Sequence, residues 1–117
     1  MRVQFAKYEG LGNDFVIVAQ AAASAMGRGQ ASALCDRHRG IGADGVLLVT
    51  GTADAPRMRV INADGSQPEM CGNGLRCVAL YLVHTGLAQA GQELTVETDA
   101  GPHRCEVLSS TRESSVE

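Results

Sequence analysis

The 117 residues carry ten lysines and arginines against thirteen aspartates and glutamates, a net charge of −3, with two phenylalanines, two tyrosines and no tryptophan. That length suits one domain with its own core, while the acidic balance and scarce aromatics exclude a phosphate-tracking groove or a base-stacking platform, so no nucleic-acid partner is expected. No segment approaches the roughly 20 apolar residues needed to cross a bilayer, and MRVQFAKYEG holds no signal-peptide-like run; the expectation is a cytoplasmic protein without a membrane partner.

In chain order, MRVQFAKYE (1–9) alternates Val3 and Phe5 with Arg2 and Gln4 and predicts a strand. GLGND (10–14) predicts a turn. FVIVA (15–19) predicts a buried strand, and the Ala-rich stretch that follows predicts a helix over about 30–37. GVLLVT (45–50) is a second apolar strand, and RMRVINA (57–63) a third that alternates Met58 and Val60 with Arg57 and Arg59. Asp64-Gly65 predicts a hairpin-type turn. Residues 74–85 predict the strongest helix, stopped by Gly86. ELTVETD (93–99) and HRCEVLS (103–109) predict two more strands across a turn at Gly101-Pro102.

Six strands and two helices without a βαβαβ rhythm predict an α+β fold. Leu75, Cys77, Val78, Ala79, Leu80, Tyr81, Leu82 and Val83 cover nearly the whole circumference of their helix, as in a buried one. The economical arrangement is a mostly antiparallel sheet curved around that central helix.

Two glycine-rich stretches mimic known loops. GIGADG (40–45) fits G-x-G-x-x-G, but a helix precedes it and a strand follows, the reverse of the order a dinucleotide fold needs. A tight helix-to-strand turn is expected. NADGS (62–66) lacks the acidic residue a calcium loop needs at its twelfth position, which is Asn73. The cysteines, Cys35, Cys71, Cys77 and Cys105, form no C-x-x-C pair, and Cys71, Cys77 and His84 lack a usual zinc spacing, so neither disulfides nor a metal is expected.

Cys71 stands directly ahead of Gly-Asn-Gly and the apolar helix. The first N–H groups of a helix have no partner inside it and carry partial positive charge, which favours a thiolate and can seat a carboxylate. Gly72 and Gly74 have no side chain to keep a ligand away, and Asn73 adds an amide. A small amino acid, with a carboxylate next to its reacting carbon, fits such a site. A purely structural thiol, a buried hydrophobe like the other three, is the competing reading, and a nucleophilic role is a third. Asn13 and Asn62 read equally as turn residues.

KYEGLGNDF (7–15), DRHRGIGADGVLLV (36–49) and MRVINADGSQPEMCGNGLRC (58–77) resemble the successive motifs of the diaminopimelate epimerase family. The resemblance implies a cofactor-independent epimerase that interconverts LL- and meso-diaminopimelate, with one thiol on each face of the α-carbon. It implies that Cys71 is the first of these thiols and that Asn13, Asn62, Gly72 and Asn73 hold substrate. It implies two similar halves, each a sheet around a central helix. Independently, pyridoxal phosphate would need a lysine, and the chain has one, Lys7, in a strand-like segment.

The resemblance covers one half only, so residues 1–117 are expected to be the N-terminal domain of a two-domain enzyme lacking its C-terminal half. Cys77 lies about 240° around the helix from Cys71 and roughly 9 Å along it, so it cannot face Cys71 across one carbon. Alone, the chain is expected to be inactive and to expose an apolar cleft for the missing half, with a homodimer as a further partner. A non-catalytic amino-acid-binding or assembly domain of the same fold, and an epimerase acting on a proline-like acid, are the alternatives.

Overall fold

The computed structural model describes residues 4–10 and 12–108. Nine elements follow one another: β1 (Ala6–Gly10), β2 (Asn13–Ala19), α1 (Gln20–Ala25), α2 (Arg28–Cys35), β3 (Gly45–Gly51), β4 (Pro56–Asn62), α3 (Gly72–His84), β5 (Glu93–Thr98) and β6 (Gly101–Glu106). The expectations for Arg2, Val3 and the polar stretch from residue 109 onward lie outside the described residues.

The strands form one six-stranded sheet in sequence order, curled into a half-barrel around α3. Strand pairs β1–β2, β3–β4 and β5–β6 are antiparallel, which agrees with the expected character of the sheet. Pairs β2–β3 and β4–β5 are parallel. A parallel neighbour needs a crossover, and those two junctions are where helices intervene. The sheet is therefore mixed. Asp64-Gly65 does turn, with the Gly65 N–H donating to the Asn62 carbonyl at 2.9 Å, but no hairpin follows. The chain passes into α3 and returns in parallel with β4. The β5–β6 turn falls two residues earlier than expected, and Pro102 lies inside β6, an edge strand that tolerates it.

Both sheet faces are covered. Phe15, Ile17, Leu47, Val49, Met58 and Val60 pack on Cys77, Val78, Ala79 and Leu82 of α3. The alternate residues Val16, Val18, Val46, Leu48 and Ile61 pack on Ala23, Ala31 and Cys35 of α1 and α2. This is why 15–19 and 45–49 read as unbroken apolar runs rather than alternating ones. The second layer contains one helix more than expected, because α1 begins directly after β2 with no side-chain cap to announce it.

Helix α3 is less enclosed than its composition suggests. Gly74, Cys77, Val78, Ala79 and Leu82 are buried, whereas Leu75, Leu80, Tyr81 and Val83 are half-buried and Arg76 and His84 exposed. The sheet covers one side of it. Among the described residues no helix is long and apolar enough to cross a membrane.

Candidate active site

Strand pairing gathers several chain segments at one end of the sheet. Gly10 pairs with Asn13, Phe15 with Gly45, and Gly45 with Asn62. The end of β1, the starts of β2 and β3 and the end of β4 thus lie side by side. Between α2 and β3 the GIGADG stretch makes the expected helix-to-strand turn: Ile41 and Gly42 both donate to the Leu34 carbonyl, at 2.9 and 3.0 Å. Gly42 has φ +85°, and a Cβ on Gly40 would collide with the Ala33 carbonyl, so both must be glycine.

Cys71 is the N-cap of α3, with extended backbone (φ −140°, ψ 114°), and its sulfur accepts the Gly74 N–H at 3.4 Å. The usual N-caps are Ser, Thr, Asp and Asn, so a thiol is an uncommon cap here. Its burial is intermediate, unlike Cys35, Cys77 and Cys105, which are 3%, 2% and 4% exposed. Burial pushes the Cys35 and Cys105 thiols up. Cys77 is pushed up to about 11, by burial first and then by Cys71 and Glu9. Of the four thiols, Cys71 is the accessible one. It sits at a helix start and not in closed apolar packing.

The expected site residues are placed as follows. Asn73, two residues into α3, donates its Nδ2 to Asn13 Oδ1 at 2.7 Å. Asn13, the first residue of β2, donates its own Nδ2 to Asp44 Oδ2 at 3.2 Å. Gly72 is exposed, and a Cβ there would meet nothing within 4 Å. Gly74 is different. It is buried, and its Cβ would lie 2.8 Å from Leu47 Cδ2 and 3.5 Å from the Cys71 sulfur. Its bareness lets α3 settle on β3 and admits the thiol; it does not clear space for a ligand. Asn62 lies at the same end of the sheet, but its Nδ2 donates to Ser66 Oγ at 3.1 Å within its own turn. The structure thus joins Cys71, Asn73 and Asn13, with Asn62 nearby and separately engaged.

Sequence reasoning missed the charged cluster behind these amides. Asp14 accepts two hydrogen bonds from Arg37, at 3.1 and 2.9 Å, and pairs with Lys7 Nζ at 3.2 Å. Arg37 also reaches Asp44 Oδ1 at 3.2 Å. Hydrogen bonding from Arg37, then from Lys7, outweighs partial burial and holds the Asp14 carboxyl well below the usual carboxylate range. The signal was present. Asp14 and Asp44 each immediately precede an apolar strand, and strands in parallel register bring residues of equal offset together. Two adjacent carboxylates then require a cation.

Among the described residues no group of His, Cys, Asp and Glu is arranged to hold a metal. A cavity of about 420 Å³ lies at the opposite end of the sheet, lined by Pro56, Leu87, Leu94 and neighbours, away from Cys71. The Cys71 surroundings form an open shelf: a helix N-terminus, an accessible sulfur and two linked amides.

A diaminopimelate epimerase family model matches residues 5–117. The diaminopimelate epimerase of Moorella thermoacetica is 53% identical over 102 residues, 85% of this chain and 36% of that protein. That of Desulforudis audaxviator is 52% identical over 116 residues, 91% of this chain and 39% of that protein. The chain spans less than two-fifths of the length of these relatives. Among solved structures, a PhzF-family phenazine biosynthesis protein of Bacillus anthracis superposes with a TM-score of 0.73 at 21% identity, over 99% of this chain and 40% of that one. A probable proline racemase of Agrobacterium radiobacter with bound carbonate superposes at 0.69 and 16% identity, over 91% of this chain and 37% of that one. At those identities the likeness is one of fold. The matched motifs include the Cys71 helix start and both strand ends beside it, and on the sequence relatives the chain belongs to the diaminopimelate epimerase family.

Proposed function

We propose that this chain is one half of an epimerase that interconverts LL- and meso-diaminopimelate without a cofactor, with Cys71 as one of two proton-transferring thiols. The observation that carries this is the contrast among its cysteines: three are buried, and the accessible one caps a helix beside two amides. The substrate α-carboxylate seats on the free N–H groups of the first turn of α3. Asn73 and Asn13 contact its polar groups, and Gly72 leaves the approach open; Asn62 joins them once Ser66 releases its amide.

In one direction the Cys71 thiolate takes the α-proton, so the Cα–H bond breaks and an S–H bond forms. A thiol on the opposite face gives its proton to the same carbon and becomes the thiolate. The N–H groups around the carboxylate stabilise the charge that develops. Cys35, Cys77 and Cys105 are too buried to be that second acid, so it comes from outside these 117 residues, in the remaining three-fifths that the relatives possess. Lys7 is engaged by Asp14, which favours thiol chemistry over a lysine imine. On this reading the enzyme serves lysine and cell-wall synthesis in the cytoplasm, and the half-buried side of α3 is where the other half sits.

The test is solvent exchange. The natural-length protein carrying this chain is incubated with LL-diaminopimelate in deuterium oxide. It should incorporate deuterium at one α-carbon and yield the meso isomer, and Cys71→Ser should lower the rate by at least about 100-fold with an unchanged circular dichroism spectrum. Serine is a far weaker acid and base partner at this position. Exchange at the wild-type rate in Cys71→Ser would reject the role. Binding of the substrate without exchange in the wild-type protein would favour a non-catalytic binding domain.

A further inference from the structure

Asn13 and Asn73 can each present either end of an amide, and nothing in an Asn–Asn pair decides which. The third member of the chain decides it. A carboxylate only accepts, so Asn13 must turn its Nδ2 toward Asp44 Oδ2, which it does at 3.2 Å. Its Oδ1 is then the end facing Asn73, and Asn73 must answer with Nδ2, at 2.7 Å. This commits one N–H of Asn73 and leaves its oxygen, an acceptor, uncommitted among the described residues two positions from Cys71. Were the order reversed, a donor would be left there instead.

Asp44 is itself held from several sides. Arg37 donates to its Oδ1 at 3.2 Å and the Asp14 N–H to its Oδ2 at 3.0 Å. Its backbone N–H donates to the Asp14 carbonyl at 2.9 Å, and its carbonyl accepts the Ala63 N–H at 3.0 Å. The last bond adjoins Asn62. Asp44 therefore ties the start of β2 to the end of β4 and touches the neighbourhood of all three asparagines in the 117 residues.

We propose that Asp44 is a positioning residue: its carboxylate fixes the polarity of the Asn13–Asn73 amide pair and so the hydrogen-bonding face shown to a ligand beside Cys71. The inference rests on the reading of that place as an amino-acid site, and an acceptor there suits the α-ammonium of an amino acid in place of a second anion. Asp44 acts through Asn13 and touches no substrate.

Two measurements on the natural-length protein test it. In protein labelled with 15N-asparagine, Asp44→Ala should shift the side-chain amide signal of Asn73, assigned by its loss in Asn73→Asp, although residue 44 does not contact Asn73. In the same protein Asp44→Ala should lower kcat/KM for LL-diaminopimelate roughly 10- to 100-fold, yet cost less than about 2-fold when Asn13 is already alanine, because the two act in series. Asp44→Asn, isosteric and no longer restricted to accepting, should move the Asn73 signal too and serves if Asp44→Ala does not fold. A stable signal for Asn73 in a folded variant, or equal losses in both backgrounds, would overturn the proposal. If the wild-type protein exchanges no α-hydrogen, the epimerase reading falls, and the amide spectrum alone decides for Asp44.

Discussion

The Gly74 N–H donates to the Cys71 sulfur at 3.4 Å, and the same glycine is pressed between that sulfur and Leu47. One residue thus both caps the thiol and sets how closely its helix approaches β3.

Gly74→Ala would gain about 1 kcal/mol of helix propensity at an unhindered position. Here the added Cβ would lie 2.8 Å from Leu47 Cδ2, and crowding a packed core costs about 1–3 kcal/mol. The net expectation is a loss of up to about 2 kcal/mol in urea-unfolding free energy, centred near 1 kcal/mol. Gly72→Ala, whose Cβ meets nothing, should leave stability within about 0.5 kcal/mol. Equal behaviour of the two variants in urea would contradict the packing described.

Acid should weaken the fold through Asp14. Its carboxyl is held below the usual range by Arg37 and then Lys7. The unfolded chain takes up a proton near pH 4 that the folded chain refuses until lower pH, so the stabilisation is complete above about pH 5 and is lost as pH falls below 4. Urea midpoints at pH 7 and pH 3 should differ less in Asp14→Asn than in the wild type. Arg37 is half exposed, so the difference shrinks in 0.5 M salt. An identical pH slope in the variant would remove Asp14 from the account.

Alkali should act through Cys77 with the opposite sign. Its thiol is pushed up to about 11 in the fold, against roughly 8.5 for a free cysteine. The unfolded chain therefore loses this proton first. The contribution is whole below about pH 8.5 and declines as pH rises toward 11. A shift of that size is worth a few kcal/mol, about 3. Cys77→Ala removes a proton that the native state retains, so its midpoint should fall less steeply between pH 9 and 11, after a constant packing loss at pH 7. A parallel decline in both proteins would show that Cys77 is not the group responsible.

Much of the fold can be read from residue order. The runs at 15–19 and 45–50 and the helix expected over 74–85, found at Gly72–His84, stand out for their dense apolar side chains. What such runs hide is direction. Val16 and Ile17 are buried on opposite faces, so no alternation reveals which neighbour a strand takes or whether it runs parallel to it. Only the parallel β2–β3 pairing brings Asp14 and Asp44 together, with Arg37 between them. Helix α1 escaped notice because neither Ala19 nor its neighbours supply a capping side chain. The placement of Cys71 and Asn73 at the start of a helix was legible from the local pattern alone. Asn13 was not; its amide gains meaning only when strand order brings it to Asn73. Gly74 was seen as important for the wrong reason, since a missing side chain looks the same whether it makes room for a ligand or for Leu47.

The match of Phe15 with Gly45 in adjacent parallel strands has a bearing on quality control. Sliding β2 by a single position would turn Phe15 and Ile17 toward α1 and α2 and Val16 and Val18 toward α3, exchanging the two buried faces, and would also part Asp14 from Asp44. Errors of threading and errors of chemistry are therefore the same error. A molecule misassembled in this way would lose the Asp44 anchor of the Asn13 amide in the very step that spoils the core.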